Sequence, residues 1–371
     1  MSPVERPVIG IVGSAGAYGR WLTRFFQSVM GLDVLGHDPV DADSLSPDAI
    51  LSGVDVLVFC APIRQTPAII ARWVEEADGR EAGQLWLDVT SVKTVPVAAM
   101  LASRAEVAGL HPMCAPPKSP TLKGRAMVVC RSRLDRWSRW LETLCTALQA
   151  QCVEATPDAH DRTMALVQAL VHAGALSQAG VLRDHAPEGG LASLMPFRSV
   201  GFELDMAGIG RILALNPAIY EDIQFGNPHV QPVLASLRDQ IQTLHDLVGQ
   251  GDEAARSSFR QQYLDENRDA FGPTLVTEGN HGFERMGYLL ADLAGDRGIS
   301  VHLPEDRPGS LRRLLETFEL AGINLASIHS SRTPAGELHF RLGIGQDVAA
   351  SVLDKALAVI EAEGIGRLVA P

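Results

Sequence analysis

The sequence predicts three domains in succession: an α/β domain with a parallel sheet, an all-helical domain and a small α+β domain. From residue 7 to about 155, short apolar runs alternate with helical stretches, which is the pattern of a parallel α/β sheet. From about 158 to 295 strand signals nearly vanish and apolar residues recur at helical spacing. From Ile299 the order is β-α-β-β-α-β, the ferredoxin-like arrangement. We place the domains at 1–157, 158–296 and 297–371.

The individual elements follow from these patterns. A predicted helix, Arg20–Val29, comes directly after the first strand. In the second domain, amphipathic patterns predict long helices such as Val230–Gly249 and Asp252–Phe271. In the third domain, Pro308-Gly309-Ser310 opens one helix and Val348–Ala362 forms the other. The predicted strands of the first domain are Val8–Val12, Asp33–Gly36, Val54–Cys60, Leu85–Val89, Glu106–Leu110 and Ala126–Cys130.

Composition limits the classes of function. The 371 residues include 32 basic and 44 acidic side chains, and the net charge of −12 argues against a nucleic-acid binder. The five cysteines lack CxxC spacing, so we expect reduced thiols of a cytoplasmic protein and no metal site. No apolar run approaches the ~20 residues of a membrane helix, and the N-terminus lacks the order of a signal peptide. We therefore expect a soluble, cytoplasmic enzyme or regulator without membrane contact.

A glycine-rich loop joins the first strand to the first helix. The run Gly13-Ser14-Ala15-Gly16-Ala17-Tyr18-Gly19 is one insertion away from the GxGxxG fingerprint of Rossmann dinucleotide-binding domains. Asp38 ends the second strand, where a carboxylate accepts ribose hydroxyls and repels a 2′-phosphate. The pattern predicts a Rossmann domain that binds NAD rather than NADP; a tight strand-to-helix turn is the alternative. The candidate cofactor-binding residues are Gly13, Gly16, Ala17, Tyr18, Gly19, Asp38, Cys60 and Pro62.

Three further segments carry a resemblance to a known family. They are Asp88-Val89-Thr90-Ser91-Val92-Lys93 followed by Gly109-Leu110-His111-Pro112-Met113, then His160-Asp161-Arg162 with His172, then Gly210-Arg211 with Asn216-Pro217 and Tyr220. Together with the glycine loop they resemble the prephenate dehydrogenase family, also called cyclohexadienyl dehydrogenases, from residue 7 to about 275. The tail from Ile299 resembles an ACT domain, a small ligand-sensing module. The resemblance implies a helical dimerisation domain, a homodimer and an active site between the first two domains.

The resemblance also implies a reaction. The family carries out NAD(P)-dependent oxidative decarboxylation of prephenate to 4-hydroxyphenylpyruvate in tyrosine biosynthesis, and a sister activity converts arogenate to tyrosine. His111 and Ser91 are the catalytic residues that it implies. An imidazole with an ordinary pKa of ~6.5 suits the acceptor of the hydroxyl proton, and Ser91 would bond that hydroxyl or the nicotinamide. The alternatives are a loop-capping His111 and an N-cap Ser91. Lys93 is expected on a helix surface or beside a phosphate.

A second group of residues is assigned to the substrate. Arg211 lies in an apolar helical stretch, where a bidentate pair with a substrate carboxylate would compensate the guanidinium. Its spacing from Glu203 and Asp205 disfavours a pair with either. His160 and His172 can share a helix face, although a buried core histidine at 172 is an equal alternative, as is simple packing at position 220. The candidate substrate-binding residues are Arg211, His172, His160 and Tyr220.

One loop departs from the family pattern. Where the family commonly follows HPM with a glycine and an acidic residue, this chain has Cys114-Ala115-Pro116-Pro117-Lys118. The missing carboxylate and the added lysine favour the anionic side chain of prephenate over the ammonium of arogenate. Dual specificity, an amino-substituted analogue and a loop that only changed shape remain as alternatives.

The tail carries a candidate regulatory site. Gly309 and a helix N-terminus suit a small carboxylate, and Asn324 can help to close the same site across a domain pair. Tyrosine is the expected effector, with phenylalanine second, and a tail that only supports dimer assembly is the alternative.

Two other function classes fit the sequence less well. A β-hydroxyacid or imine reductase usually has a lysine general acid in its helical domain, where this chain offers His160, His172 and Arg211. An amino-acid sensor with an inactive Rossmann fold is disfavoured because the glycine loop, Ser91 and His111 are intact.

Overall fold

The computed structural model describes residues 6–42, 44–294, 298–304, 307–332 and 338–369 of the chain. The chain divides into two compact units, Met1–Thr243 and Leu244–Pro371. The division falls near the middle of the helix Val230–Gln250, so the predicted all-helical segment is shared between the two units.

The first unit is built on a seven-stranded sheet. Its strands are β1 (Ile9–Val12), β2 (Val34–His37), β3 (Val56–Phe59), β4 (Leu85–Asp88), β5 (Glu106–Pro112), β6 (Ala126–Arg133) and β7 (Gln151–Glu154). They lie in the order β2-β1-β3-β4-β5-β6-β7, and only β5 and β6 pair antiparallel. All six predicted strands are confirmed; β7 escaped prediction because the strand is exposed throughout and carries no apolar run. The order reverses between β1 and β3, where open α/β sheets bind ligands at their carboxyl edge.

Helices cover both faces of this sheet. One core layer contains Phe25 and Trp140, and the other contains Trp73 and Trp86. The first helix begins at Ala17, three residues earlier than predicted, because Gly16 serves as its N-cap. All five cysteines are described and none forms a disulfide. The helices are α1 (Ala17–Ser28), α2 (Pro47–Gly53), α3 (Thr66–Ala77), α4 (Thr94–Leu101) and α5 (Ser138–Leu148).

A continuous helix, Pro157–Asp184, follows the sheet. It consists of α6 (Pro157–Met164), a π-helical turn (Ala165–Leu170) and α7 (Val171–Asp184). By length and composition it is long and apolar enough to cross a membrane, with a mean hydropathy of 1.4 and 11% of that window buried. The expectation that no segment approaches this length is therefore wrong. Length and composition alone do not place the helix in a membrane, and its first turns are buried against the sheet domain through His160 and Asp161.

The helices that follow pack on this one. A short 3₁₀ helix, Leu191–Phe197, precedes α8 (Val200–Ala214), α9 (Pro217–Gly226) and α10 (Val230–Gln250). Ala165, Ala169, Ile223 and Val230 form a small buried cluster among α9, α10 and the π turn.

The second unit contains helices and a four-stranded antiparallel sheet. Its helices are α11 (Glu253–Phe259), a π-helical turn (Arg260–Asp265), α12 (Glu266–Ala294), α13 (Ser310–Leu320) and α14 (Ala350–Ala362). The helix α12 is interrupted at Gly272, whose φ is +74°. The strands β8 (Gly298–Leu303), β9 (Leu325–Arg332), β10 (Leu338–Ile344) and β11 (Arg367–Val369) lie in the order β11-β8-β10-β9. The predicted ferredoxin-like arrangement is confirmed.

Candidate active site

The glycine loop makes a tight turn between β1 and α1. Gly13 has a left-handed φ of +86°, and a Cβ there would lie 2.7 Å from the carbonyl oxygen of Cys60. A Cβ on Gly19 would lie 2.1 Å from the carbonyl oxygen of Gly13. The N-cap of α1 is Gly16, which has no side chain to cover the first N–H groups of the helix. The N–H groups from Gly13 to Gly16 are hydrogen-bonded within the protein, whereas the first N–H groups of α1, from Ala17 to Gly19, have no partner among the described residues, which suits a pyrophosphate.

Asp38 lies directly after β2 and is only 8% exposed. Its carboxylate accepts hydrogen bonds from the backbone N–H of Ala15 at 3.1 Å and of Val40 at 3.2 Å. These bonds hold Asp38 against the glycine loop. Because each carboxylate oxygen has further lone pairs, the group can also accept hydroxyl groups from a ribose. The loop and Asp38 together fit a dinucleotide with an unmodified 2′-hydroxyl.

The other candidate cofactor residues lie near the same sheet edge. The hydroxyl of Tyr18 donates to the carbonyl oxygen of Cys114, which ties α1 to the loop that follows His111. Burial raises the pKa of Tyr18, and Cys114 raises it further, so this hydroxyl stays protonated. Burial likewise raises the pKa of the Cys60 thiol, which excludes a thiolate there at neutral pH. The carbonyl of Pro62 accepts a hydrogen bond from the hydroxyl of Thr66 at 3.0 Å, at the start of α3.

Lys93 is buried beneath the site, so the prediction that places it on a helix surface is wrong. Its side chain is fully buried, and its ammonium pairs with Asp88 and donates to the carbonyl oxygen of Leu110 at 2.8 Å. The hydroxyl of Thr90 also donates to Asp88, at 2.6 Å. Such added hydrogen bonds offset the lost hydration of a buried ion pair. The segment from Asp88 to Lys93 is thus a closed loop around a buried charge pair.

The N-terminus of α4 is capped by a carboxylate from α6. Asp161 is fully buried and accepts hydrogen bonds from the backbone N–H of Lys93 at 2.8 Å and of Thr94 at 2.9 Å. The alternative of an N-cap role for Ser91 is wrong, because the N-cap position is Lys93 and its side chain makes no capping bond. Asn227 donates to the carbonyl oxygen of Asp161 at 2.7 Å. These bonds fix α6 against the N-terminus of α4 and the C-terminal end of α9.

A chain of hydrogen bonds connects Asp161 to His111. The Nδ1 atom of His160 lies 2.7 Å from Asp161 Oδ1, and its Nε2 lies 2.8 Å from Nδ1 of His111. A carboxylate only accepts, so His160 carries its proton on Nδ1 and accepts at Nε2. His111 must then carry its proton on Nδ1, which leaves Nε2 as an acceptor. Among the described residues this Nε2 has no hydrogen-bond partner.

The surroundings keep His111 neutral. Burial lowers its pKa well below 6.5, and the nearby His160 and Lys93 lower it further, whereas Asp161 acts in the opposite direction. His111 belongs to β5, one residue beyond the predicted strand end, and is 2% exposed. Ser91, in the loop three residues after the neighbouring strand β4, is half-buried, and its hydroxyl has no partner within the described part of the chain. A neutral imidazole acceptor and an available hydroxyl are what a substrate hydroxyl requires.

The two predicted histidines of the helix lie in different places. His160 contacts His111, with ring centroids 5.0 Å apart, whereas His172 packs edge-on against Tyr220 at 4.9 Å. The π turn between them adds one residue to the helical turn and alters the relative orientation of the two side chains. Burial lowers the pKa of His172, and its buried Nδ1 has no partner in the described residues. His172 and Tyr220 therefore form a separate, half-buried pair.

Arg211 is exposed on α8 and forms no ion pair among the residues described. The apolar side chains of α8 therefore surround Arg211 in sequence but do not bury it. Glu203 instead pairs with Arg198 at 3.3 Å, and Asp205 accepts a hydrogen bond from Gln178 at 3.0 Å. The prediction that Arg211 pairs with neither acid is therefore confirmed. The guanidinium is available to an anionic ligand.

Sequence reasoning missed the residues that support the site. Asp161, Asp88 and Asn227 received no role, although two of them belong to motifs that carried the resemblance. A buried role for Asp161 could have been suspected from its place beside His160. Nothing in the sequence indicates that Asn227 contacts the carbonyl of Asp161, because the two residues are 66 positions apart.

Two segments of the chain match the sequence profiles of known domains. The profile described as "Prephenate dehydrogenase, dimerization domain" matches residues 156–261, and the ACT domain profile matches residues 298–361. A 4-amino-4-deoxyprephenate dehydrogenase of Streptomyces pristinaespiralis is 31% identical over an alignment of 271 positions that covers 66% of this chain and 85% of that protein. The chain belongs to the prephenate dehydrogenase family.

Other members of the prephenate dehydrogenase family are more distant. A probable arogenate/prephenate dehydrogenase of Methanocaldococcus jannaschii is 26% identical over 65% of this chain, and the T-protein of Enterobacter agglomerans is 27% identical over 69%. The match spans only 56% and 66% of the length of these two relatives. A crystal structure of prephenate dehydrogenase from A. aeolicus with hydroxyphenyl propionate and NAD+ has the same fold, with a TM-score of 0.57 and 16% identity over 72% of this chain and 99% of that one.

Proposed function

We propose that the chain catalyses the NAD-dependent oxidative decarboxylation of prephenate to 4-hydroxyphenylpyruvate. The observation that carries this proposal is the hydrogen-bond chain from Asp161 through His160 to His111, which fixes a neutral imidazole with its Nε2 as the acceptor. Removing hydride from the ring carbon that bears the hydroxyl requires an acceptor for the hydroxyl proton at the same time.

The residues of the site divide this task. His111 Nε2 accepts the proton of the substrate hydroxyl, and the imidazolium that forms is stabilised through His160 by the Asp161 carboxylate. Ser91 donates or accepts a hydrogen bond at the same hydroxyl. Arg211 binds a substrate carboxylate, and His172 with Tyr220 contacts the substrate ring or side chain. Loss of carbon dioxide makes the ring aromatic and the step strongly favourable.

NAD is the proposed cofactor, bound by the glycine loop, Asp38 and the end of β3. The uncapped N–H groups at the start of α1 would hold the pyrophosphate, and the Asp38 carboxylate would accept the ribose hydroxyls and repel the extra phosphate of NADP. When bound, NAD supplies a hydride acceptor. In support, the A. aeolicus structure of the same fold was solved with NAD+.

A second candidate substrate is 4-amino-4-deoxyprephenate, which has an amine in place of the hydroxyl. The 31% identity with the Streptomyces pristinaespiralis enzyme of that name favours it. The buried Lys93 opposes it, because the same positive charge that lowers the pKa of His111 repels an ammonium at that position. We therefore rank prephenate first.

Formation of NADH with each of three compounds tests the assignment. The purified chain is supplied with NAD and prephenate, arogenate or 4-amino-4-deoxyprephenate, and the absorbance of NADH is followed. We expect the largest kcat/KM with prephenate. A larger value with either amino compound would overturn the substrate, whereas no NADH with all three would overturn the dehydrogenase assignment.

We further propose a cytoplasmic homodimer that is inhibited by tyrosine through the ACT domain. The dimerization-domain match over 156–261 supports the homodimer. Gly309, with φ +97°, is the N-cap of α13, and Asn324 is exposed at the start of β9, so both are accessible to a small carboxylate. Tyrosine is expected to inhibit the full-length enzyme and to inhibit an Asn324→Ala variant more weakly. Equal inhibition of the two proteins would remove Asn324 from the effector site.

A further inference from the structure

The helix α9 connects the residues proposed for the substrate with the loop that follows β3. Tyr220 on this helix packs edge-on against His172, and Asp222 follows two residues later. Asp222 is buried, and its carboxylate accepts a hydrogen bond from the backbone N–H of Arg64 at 3.0 Å. A buried carboxylate on a helix outside the sheet therefore holds a loop at the carboxyl edge of that sheet.

The loop after β3, residues 60–65, is part of the proposed cofactor site. A Cβ on Gly13 would lie 2.7 Å from the carbonyl oxygen of Cys60, so this loop and the glycine loop are in close contact. The N–H groups of Ala61 and Ile63 have no hydrogen-bond partner among the described residues, and Pro62 has no N–H group. The loop can therefore donate hydrogen bonds to a ligand at the edge where the strand order reverses.

The two ends of this loop and its middle are held by different elements. At the start, the N–H of Cys60 donates to the carbonyl oxygen of Val12 on β1 at 2.8 Å. At the end, the carbonyl oxygen of Pro62 accepts from the N–H of Gln65 at 2.9 Å, which closes a turn. Arg64 lies inside that turn, and its N–H donates to α9 instead. The position of the middle of the loop therefore depends on a helix distant in sequence.

Few other contacts hold α9 against this loop. Ile63 packs against the small buried cluster that includes Ile223. Beside this contact, a cavity of about 260 Å³ lies between α9 and the starts of α3 and α4, with Pro67 and Val95 in its lining. In the described part of the chain, the bond to Asp222 is the one hydrogen bond that joins α9 to β1–β7 or α1–α5. Since a cavity replaces close packing there, this bond has a large share in fixing the loop.

The backbone of Arg64 matters more to this contact than its side chain. The guanidinium is 71% exposed, and its Nε lies 3.8 Å from the second carboxylate oxygen of Asp222. An ion pair with an exposed partner stabilises little, whereas the N–H of Arg64 makes a charge-assisted hydrogen bond to a buried carboxylate. An asparagine at position 222 would lose the ion pair but could still accept from that N–H.

We propose that Asp222 is a positioning residue for the dinucleotide, because it holds the loop after β3 in the conformation that binds the cofactor. The inference rests on the proposed NAD site, and Asp222 acts there through Arg64 and the loop rather than on the reacting atoms. Without the carboxylate the loop loses its hydrogen bond to α9, so cofactor binding must also order the loop, which lowers affinity. The hydrogen-bond chain to His111 does not include Asp222, so the chemical step is retained.

Fluorescence titration of the full-length chain with NADH tests the proposal, together with steady-state rates of NADH formation from NAD and prephenate. We expect Asp222→Ala to raise the Kd for NADH and the KM for NAD about tenfold, the loss of one charge-assisted hydrogen bond, with little change in kcat or in the KM for prephenate. Asp222→Asn should recover most of the affinity. Glu221→Ala, at an exposed position of the same helix, is the matched control and should bind NADH like the wild type.

A merely structural role of Asp222 predicts another pattern, in which kcat falls and both KM values rise together. That pattern, an unchanged Kd in Asp222→Ala or no recovery in Asp222→Asn would overturn the inference while the proposed function stands. A wild type that does not bind NADH would overturn the proposed cofactor site and this inference with it. If Asp222→Ala does not fold, Asp222→Leu, which likewise accepts no hydrogen bond, is measured under the same expectations.

Discussion

At the scale of single residues, the site depends on one imidazole and its tautomer. His111 accepts at Nε2 because His160 and Asp161 fix the proton at Nδ1. An asparagine at position 111 keeps similar size and polarity but cannot accept a proton. We expect His111→Asn to lower kcat by about 10²–10⁴-fold with little change in KM, because the lost interaction strengthens mainly as the hydroxyl loses its proton.

The same substitution elsewhere serves as the control. His185, exposed at the C-cap of α7, lies outside the proposed machinery, and His185→Asn should leave kcat and KM unchanged. Steady-state rates of NADH formation with prephenate measure both variants. Full turnover by His111→Asn would remove the imidazole from its assigned role.

Lys93 offers a second test at the residue scale, through pH. Its charge contributes to lowering the pKa of His111. Removing that charge therefore raises this pKa, and since the neutral imidazole is the active form, the acidic limb of kcat/KM moves to higher pH. We expect this shift in Lys93→Met, measured as kcat/KM against pH. An unchanged limb would show that the lysine does not influence His111.

Stability provides an independent readout of Lys93. Lys93→Met leaves Asp88 buried without its cation, which costs about 3–5 kcal/mol in typical proteins. Because the cost comes from the buried carboxylate that has lost its cation, neutralising it in the double variant Asp88→Asn with Lys93→Met should recover part of the loss. Thermal or denaturant unfolding measures the difference. An equal loss in the single and double variants would contradict the buried-pair interpretation.

At the scale of elements, the glycine loop and the capping of α4 shape the site. The loop is readable from sequence because glycine is required wherever the backbone approaches itself closely, as at Gly19. The cap of α4 cannot be predicted from the local sequence, because the capping carboxylate of Asp161 comes from α6. Local sequence patterns predict the individual elements. The contacts between elements are known only from the folded structure.

A glycine substitution tests the loop. In Gly19→Ala the added methyl meets the carbonyl oxygen of Gly13 at 2.1 Å, so the backbone must move. We expect the Kd for NAD to rise about tenfold or more. The displaced loop needs to lose only ~1.4 kcal/mol of binding free energy for a tenfold change. Fluorescence titration with NADH, which carries the same pyrophosphate, measures the corresponding change in its Kd.

The matched control is a helical glycine with open space around it. Gly180→Ala on α7 meets no atom within 4 Å. It should leave cofactor affinity unchanged and increase stability slightly, because alanine favours the helix. Equal effects of the two substitutions on NAD binding would contradict the proposed role of the loop.

At the scale of the whole molecule, apolar side chains on the long helices remain exposed. Val171 on α7 is 60% exposed and Leu213 on α8 is 66% exposed. Large apolar side chains left exposed on long helices are consistent with an interface, and the match to a dimerization domain covers both helices. On this interpretation, Pro157–Asp184 has the mean hydropathy of a membrane helix because part of its surface lies in the dimer interface.

A charge placed on this surface tests the homodimer. Val171→Glu should shift the protein towards a monomer, because an unpaired carboxylate is costly in an apolar interface. Light scattering coupled to size-exclusion chromatography measures the mass. Val40→Glu, at a site 84% exposed in the loop after β2, should leave the mass unchanged. A dimer of undiminished stability in Val171→Glu would exclude this face from the interface.

The sequence by itself determined the order of the elements, the glycine loop with Asp38 and the motifs that contain His111, Ser91 and His160. These depend on local periodicity, on glycine at tight turns and on residue types in fixed spacing, all of which are written along the chain. Only the tertiary structure decided that Lys93 is buried, that Arg211 is exposed and that Asp161 links α4 to the imidazole pair. Each of those facts depends on contacts between residues far apart in sequence, where burial and hydrogen bonding rather than local propensity set the outcome.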